Sequence, residues 1–119
     1  MKITVPISVG ELIDKISILQ IKFQKTSNEY VEKELNELIR VAIENKVYDA
    51  GYVYKLKMVN KNLWDVENEI RRFESTGNFC PRFIELARSV YKLNDERSKI
   101  KKEINESYGS EFQEVKIYQ

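Results

Sequence analysis

Apolar side chains recur three and four residues apart in four blocks of this chain, and short polar stretches with turn and cap residues separate the blocks. The first block follows "SVGE", where Ser8 and Glu11 form a capping box, the hydroxyl accepting from an orphan amide while the carboxylate reaches back. Helix 1 is therefore expected over about 9–26, with Leu12, Ile16, Leu19 and Phe23 as its stripe. Ser27 or Asn28 caps the next block, helix 2 at about 28–45, which presents Val31, Leu35, Leu38 and Ala42. Folded back as a hairpin, the two stripes match layer by layer, Phe23 with Val31 at the turn and Leu12 with Ala42 at the far end.

The second half repeats this over a longer span. Tyr52, Leu56, Val59, Leu63, Val66, Ile70 and Phe73 alternate steps of four and three, a coiled-coil seam on helix 3 at about 52–75. Gly77 suits its C-cap and Pro81 suits the first turn of helix 4, expected at about 81–107 with Phe83, Leu86, Val90, Leu93, Arg97, Ile100 and Ile104. Antiparallel pairing sets Phe73 against Phe83, Leu63 against Leu93 and Tyr52 against Ile104. One layer of that seam is polar: Val59 meets Arg97. The expected fold is all-α, an antiparallel four-helix bundle of two helical hairpins in a single domain over 1–119.

Both ends show a period of two. Ile3, Val5 and Ile7 alternate in one, Val115 and Ile117 in the other, which predicts short strands over 2–7 and 114–118, paired within one chain or exchanged between two. Helix 1 is apolar nearly all round, since Ile18 and Ile21 point away from its main stripe; it belongs either between helix 2 and the second hairpin or in a dimer interface. Helices 3 and 4 outrun the first two and leave seam residues uncovered, which favours a homodimer.

Composition narrows the chemistry by exclusion. Lys and Arg total 20 against 19 Asp and Glu, so no whole-chain field holds nucleic acid or an acidic membrane. One cysteine, Cys80, fits a reducing compartment, and no apolar run suits a signal peptide or a membrane span, so a cytoplasmic protein is expected. The chain has no histidine, which removes Ser-His and Cys-His nucleophile pairs and histidine metal ligands. Glycine-rich phosphate loops and calcium-loop spacings are missing as well. No metal and no cofactor is expected.

Three polar features remain. Arg97, with Asn60 across the seam and Asn94 beside it, must find Asp14, Glu11 or a bound anion, because a lone buried guanidinium is too costly. It reads first as a structural ion pair and second as the floor of an anion pocket. Trp64, Glu67 and Arg71 share one flank of helix 3; an i,i+4 salt bridge and an aromatic face suit a partner surface, together with Ile18 and Ile21 of helix 1. The run Arg97, Lys99, Lys101 and Lys102 reads as a solvated helix face.

Taken in order, "PISVGELIDKISILQIK", "NKNLWDVENEIRRFE", "FIELARSVYKLNDERSKIKKEIN" and "GSEFQEVKIY" resemble a family of short bacterial and phage-type proteins known only as a domain of unknown function. The resemblance implies an all-helical intracellular protein and supplies no catalytic residues. Its motifs coincide with Glu11, Asp14 and Lys15, with Trp64, Glu67 and Arg71, and with Arg88, Asn94, Asp95 and Arg97. "ELIDKISILQIKFQK" alone is similar to the first helix of the helical chorismate mutases, although it lacks their arginine. The leading expectation is a non-enzymatic interaction or assembly module. The alternative is a binder of small phosphorylated or carboxylated anions at Arg97, Asn60, Asn94 and Asp14, and a mutase-like enzyme comes last.

Overall fold

A computed structural model describes residues 1–117. Four helices follow one another, α1 (Val9–Thr26), α2 (Glu29–Glu44), α3 (Ala50–Thr76) and α4 (Pro81–Tyr108), and the described residues contain no strand. The boundaries follow from cap chemistry. Ser8 Oγ accepts from Glu11 N, and Asn28 Oδ1 accepts from Tyr30 N and Val31 N. Asp49 accepts from Tyr52 N and starts α3 at Ala50, two residues earlier than the seam suggests. Gly77 and Gly109 close α3 and α4 in the left-handed region, where a glycine carries no Cβ penalty.

The helix at the centre is α1. It packs on α2, α3 and α4, and α3 packs on α4, whereas the α2 backbone approaches α1 alone among the described residues. The apolar core gathers Leu12, Ile13, Ile16 and Leu19 of α1 with Leu35, Ala42, Val53, Leu56 and Ile104. Ile21 is 3% exposed, so it is packed inside the monomer and forms no part of an outer face; Ile18 is half-buried. The all-round apolar character of α1 is thus accounted for by three neighbours in its own chain.

The α3–α4 pair keeps the expected register. Arg97 Nη1 donates to Asn60 Oδ1 at 3.3 Å, and at one end of the pair Tyr108 Oη donates to Asp49 Oδ2 at 2.9 Å. At 27 and 28 residues these helices are about 40 Å long, against about 27 Å for the 18 residues of α1. The excess protrudes. The fully buried residues of α3 end at Leu63, and Val66, Ile70, Phe73, Phe83 and Val90 beyond it are only half-buried. A radius of gyration of 16.1 Å exceeds the roughly 13.5 Å of a compact chain this long.

The terminal strands are corrected. Lys2 Nζ sits 3.2 Å from Glu37 on α2, while the other end doubles back along α4, where Ser110 Oγ accepts from Val9 N and Glu114 reaches Lys101. The two ends therefore lie against different helices. Ile3, Val5, Val115 and Ile117 stay exposed, and a lone two-stranded ribbon with no buried face has little to hold it. Tyr118, the last residue of the expected second strand, lies outside the described residues.

Candidate functional site

The interior polar cluster is built where α1 crosses α3 and α4. Asp14 and Ser17 stand one turn apart on α1 and are 2% and 0% exposed. Asn60 Nδ2 donates to both, at 2.8 Å to Asp14 Oδ1 and 2.9 Å to Ser17 Oγ, while its own Oδ1 accepts from Arg97. One amide joins three helices. Ser17 Oγ in turn donates to the Asp14 carbonyl at 2.7 Å. Among the described residues no buried side-chain nitrogen or oxygen lacks a partner, so this network is closed.

Arg97 is less deeply placed than its seam position suggests. Its side chain is 29% exposed, and Nε lies 4.0 Å from Asp14 Oδ2, the outer limit of an ion pair. The buried cation is Lys101, only 5% exposed, which corrects its reading as part of a solvated face. Its ammonium meets Glu11 at 2.7 Å, Glu114 at 2.9 Å and Asp14 at 3.9 Å. The signal was present as a second stripe on α4, Arg97, Lys101 and Asn105 at steps of four, which faces α1 while the seam faces α3. Asn105 Oδ1 accepts from Gly10 N at 2.7 Å and completes that stripe.

Burial holds the Asp14 carboxyl above its ordinary value, against the opposing pull of the Asn60 hydrogen bond and the charges of Arg97 and Lys101. Burial draws the Lys101 ammonium down, but its hydrogen bonds to Glu11 and Glu114 outweigh it and the net shift is upward. Lys101 in turn holds the Glu114 carboxyl below the usual glutamate range.

Asn94 stands apart from this cluster. Its Nδ2 donates to the Val90 carbonyl of its own helix, and it lines a separate cleft with Ala87, Tyr91 and Lys116. On the α3 flank, Trp64 is half-buried with Lys25 Nζ 5.3 Å above its ring, whereas Glu67 and Arg71 are exposed and the expected salt bridge between them does not form. Cys80 caps α4 without a side-chain hydrogen bond. Among the described residues no three His, Cys, Asp or Glu side chains converge as a metal site would require, and no helix is long and apolar enough to cross a membrane.

The model of a family of unknown function, DUF6165, matches residues 1–119. The chain belongs to that family. No curated protein and no solved structure matches it. In this DUF6165 protein the cleft beside the cluster, about 570 Å³, is bounded by α4 and by Gln113 to Lys116 of the C-terminal segment, with Lys101 in its wall.

Glu114 makes that arrangement sensitive to acid. Because its folded value lies below the ordinary 4.5, its contribution is complete above 4.5 and is lost as the pH falls through the folded value. Backbone amide resonances of residues 112–116 are expected to move toward random-coil positions as the pH is lowered from about 5, while those of α4 stay put. In Glu114→Gln the segment is already detached at neutral pH and the transition disappears. A segment that titrates identically in both proteins is not held by Glu114.

Proposed function

We propose that this protein is a non-enzymatic interaction module of the cytoplasm and that the protruding α3–α4 pair, an antiparallel coiled coil, is its docking arm. The observation that carries this is the seam beyond Leu63, where Leu86 is buried but Val66, Ile70, Phe73, Phe83 and Val90 are only half-buried. Phe79 and Ile84 at the tip are 57% and 56% exposed. The polar cluster supports the same role, since Asp14, Ser17 and Asn60 satisfy one another and fix how α1 holds the base of the arm.

A photo-crosslinking residue placed at position 62 or 69 on the arm is expected to give discrete adducts in cells, while one at position 33 on the outer face of α2 gives none. Equal, diffuse labelling from both places rules out the arm as the docking element.

A second proposal, a small-anion binder, draws on one contact. The Glu114 carboxylate sits on Lys101 as the carboxylate of a ligand would, beside the half-exposed Arg97. In that case a phosphorylated or carboxylated metabolite raises the melting temperature of the wild type and not of Arg97→Leu. The mutase-like proposal draws on no contact of this kind, since the interior polar groups Asp14, Asn60 and Ser17 are bonded to one another.

A further inference from the structure

Only one side of the α3–α4 pair is covered by α1. Asn60 and Lys101 mark that side. On α3, Asn62, Asp65 and Glu69 lie a third to half a turn round from Asn60 and Trp64, and on α4, Lys92 lies nearly half a turn, and Ser89 and Arg82 about a quarter turn, from the Arg97–Lys101 stripe. Between these two rows runs an open groove of about 460 Å³, floored by Val66, Leu86 and Leu93. Its α3 wall carries the acids Asp65 and Glu69, and its α4 wall carries the bases Arg82 and Lys92, with Glu96 toward one end. Glu69 and Arg82 already bridge the groove at 3.3 Å, leaving Asp65 and Lys92 as the outward pair.

These two residues stand at one level. Asn60 and Arg97 are hydrogen-bonded; Asp65 is five residues further along α3, and Lys92 is five residues back along the antiparallel α4. A groove with an acid on one wall and a base at the same height on the other is complementary to itself under one two-fold arrangement. With the axis parallel to the helices, α3 of each copy faces α4 of the other and Asp65 meets Lys92 twice. With the axis across the helices, acid meets acid and base meets base. Charge thus selects the first arrangement, and the Val66 and Leu93 surfaces then close on each other as in a four-helix bundle.

We propose that the occupant of this groove is a second copy of the chain, docked arm to arm about a two-fold axis parallel to α3 and α4, with reciprocal Asp65–Lys92 contacts. This rests on the arm being the interaction element and names its partner. The test is sedimentation equilibrium of the full chain at about 50 µM, with circular dichroism to confirm folding. Both side chains are exposed, so the variants keep the fold. Wild type is expected near twice the 14.1 kDa chain mass. Asp65→Lys and Lys92→Asp each weaken association at least about tenfold by setting like charges together. The double variant Asp65→Lys/Lys92→Asp returns to the wild-type mass, and an equimolar mixture of the two single variants forms heterodimers, because each then supplies the charge the other lacks.

Overturning results are a monomeric wild type, single variants that associate as the wild type does, or a folded double variant and mixture that both stay monomeric. If the wild type is monomeric while arm crosslinks in cells are discrete and of another mass, self-pairing is wrong and the interaction role stands. If there are no arm crosslinks either, both fall.

Discussion

Lys101→Met lowers the free energy of unfolding by about 3 kcal/mol at neutral pH, the low end of the range for breaking a buried ion pair. Methionine refills most of the volume and supplies no charge. Glu11 and Glu114, with side chains 40% and 41% exposed, can turn to water once the ammonium is gone. Asp14 cannot. Its side chain is 3% exposed, and without Lys101 it keeps only the Asn60 hydrogen bond and a guanidinium at 4.0 Å.

The pH dependence follows from the sign of the Asp14 shift. A carboxyl whose folded value is raised above the ordinary 3.8 contributes most when protonated, and that contribution is lost as the pH rises through the folded value. Removing Lys101 takes away one of the two cations that restrain this shift, and it also removes the hydrogen bond that lowers the Glu114 value and the stability that goes with it above 4.5. The deficit of Lys101→Met relative to wild type therefore widens as the pH rises from below 3.8 to neutrality. Urea melts of wild type, Lys101→Met, Asp14→Asn and the double variant check the cause as well as the size. The double variant recovers part of the loss, since it leaves no stranded carboxylate. A loss equal to the sum of the two singles shows that Lys101 and Asp14 do not interact.

The second large effect is expected at the other end of the same helix contact. Gly10→Ala places a Cβ 2.6 Å from the Lys101 carbonyl oxygen and 3.0 Å from Asn105 Oδ1. A backbone carbonyl inside a helix cannot swing aside, so α1 and α4 must separate and stretch the 2.7 Å bond from Gly10 N to Asn105. Overpacking of this kind costs about 1–3 kcal/mol, enough to outweigh the roughly 1 kcal/mol that alanine gains over glycine as a helix former. Gly51→Ala is the matched control, because its Cβ meets only the Asp49 carboxylate, at 3.2 Å, in the first turn of α3. Thermal melts should show Gly10→Ala clearly less stable and Gly51→Ala near the wild type. If both behave alike, the close approach of α1 to α4 is not what requires a glycine at position 10.

Much of this architecture was legible in the residues. The Ser8–Glu11 box, the Asn28 cap, Gly77 and Pro81 are local chemistry, and local chemistry places helix ends wherever the neighbours later lie. The α3–α4 seam was readable because its two stripes had to match each other at every layer. The candidate site was legible in part. Arg97, Asn60 and Asp14 do come together, but Lys101 and Asn105 were hidden, since their stripe faces α1 and a seam reading pairs α4 with α3 alone. Glu114 falls at the start of the expected second strand. Alternation at Val115 and Ile117 is a two-residue signal, and the long-range contacts of Ser110 and Glu114 override it.

The position of α2 has a consequence for how the molecule comes apart. Its backbone approaches only α1 among the described residues, and Leu35 and Ala42 are its only buried side chains. It can therefore lift off while the Asn60, Arg97 and Tyr108 ties between the other helices persist. The protein then has two steps of opening rather than one: amide protons of α2 exchange with solvent through the smaller of them, and those at the centre of α1 wait for the larger.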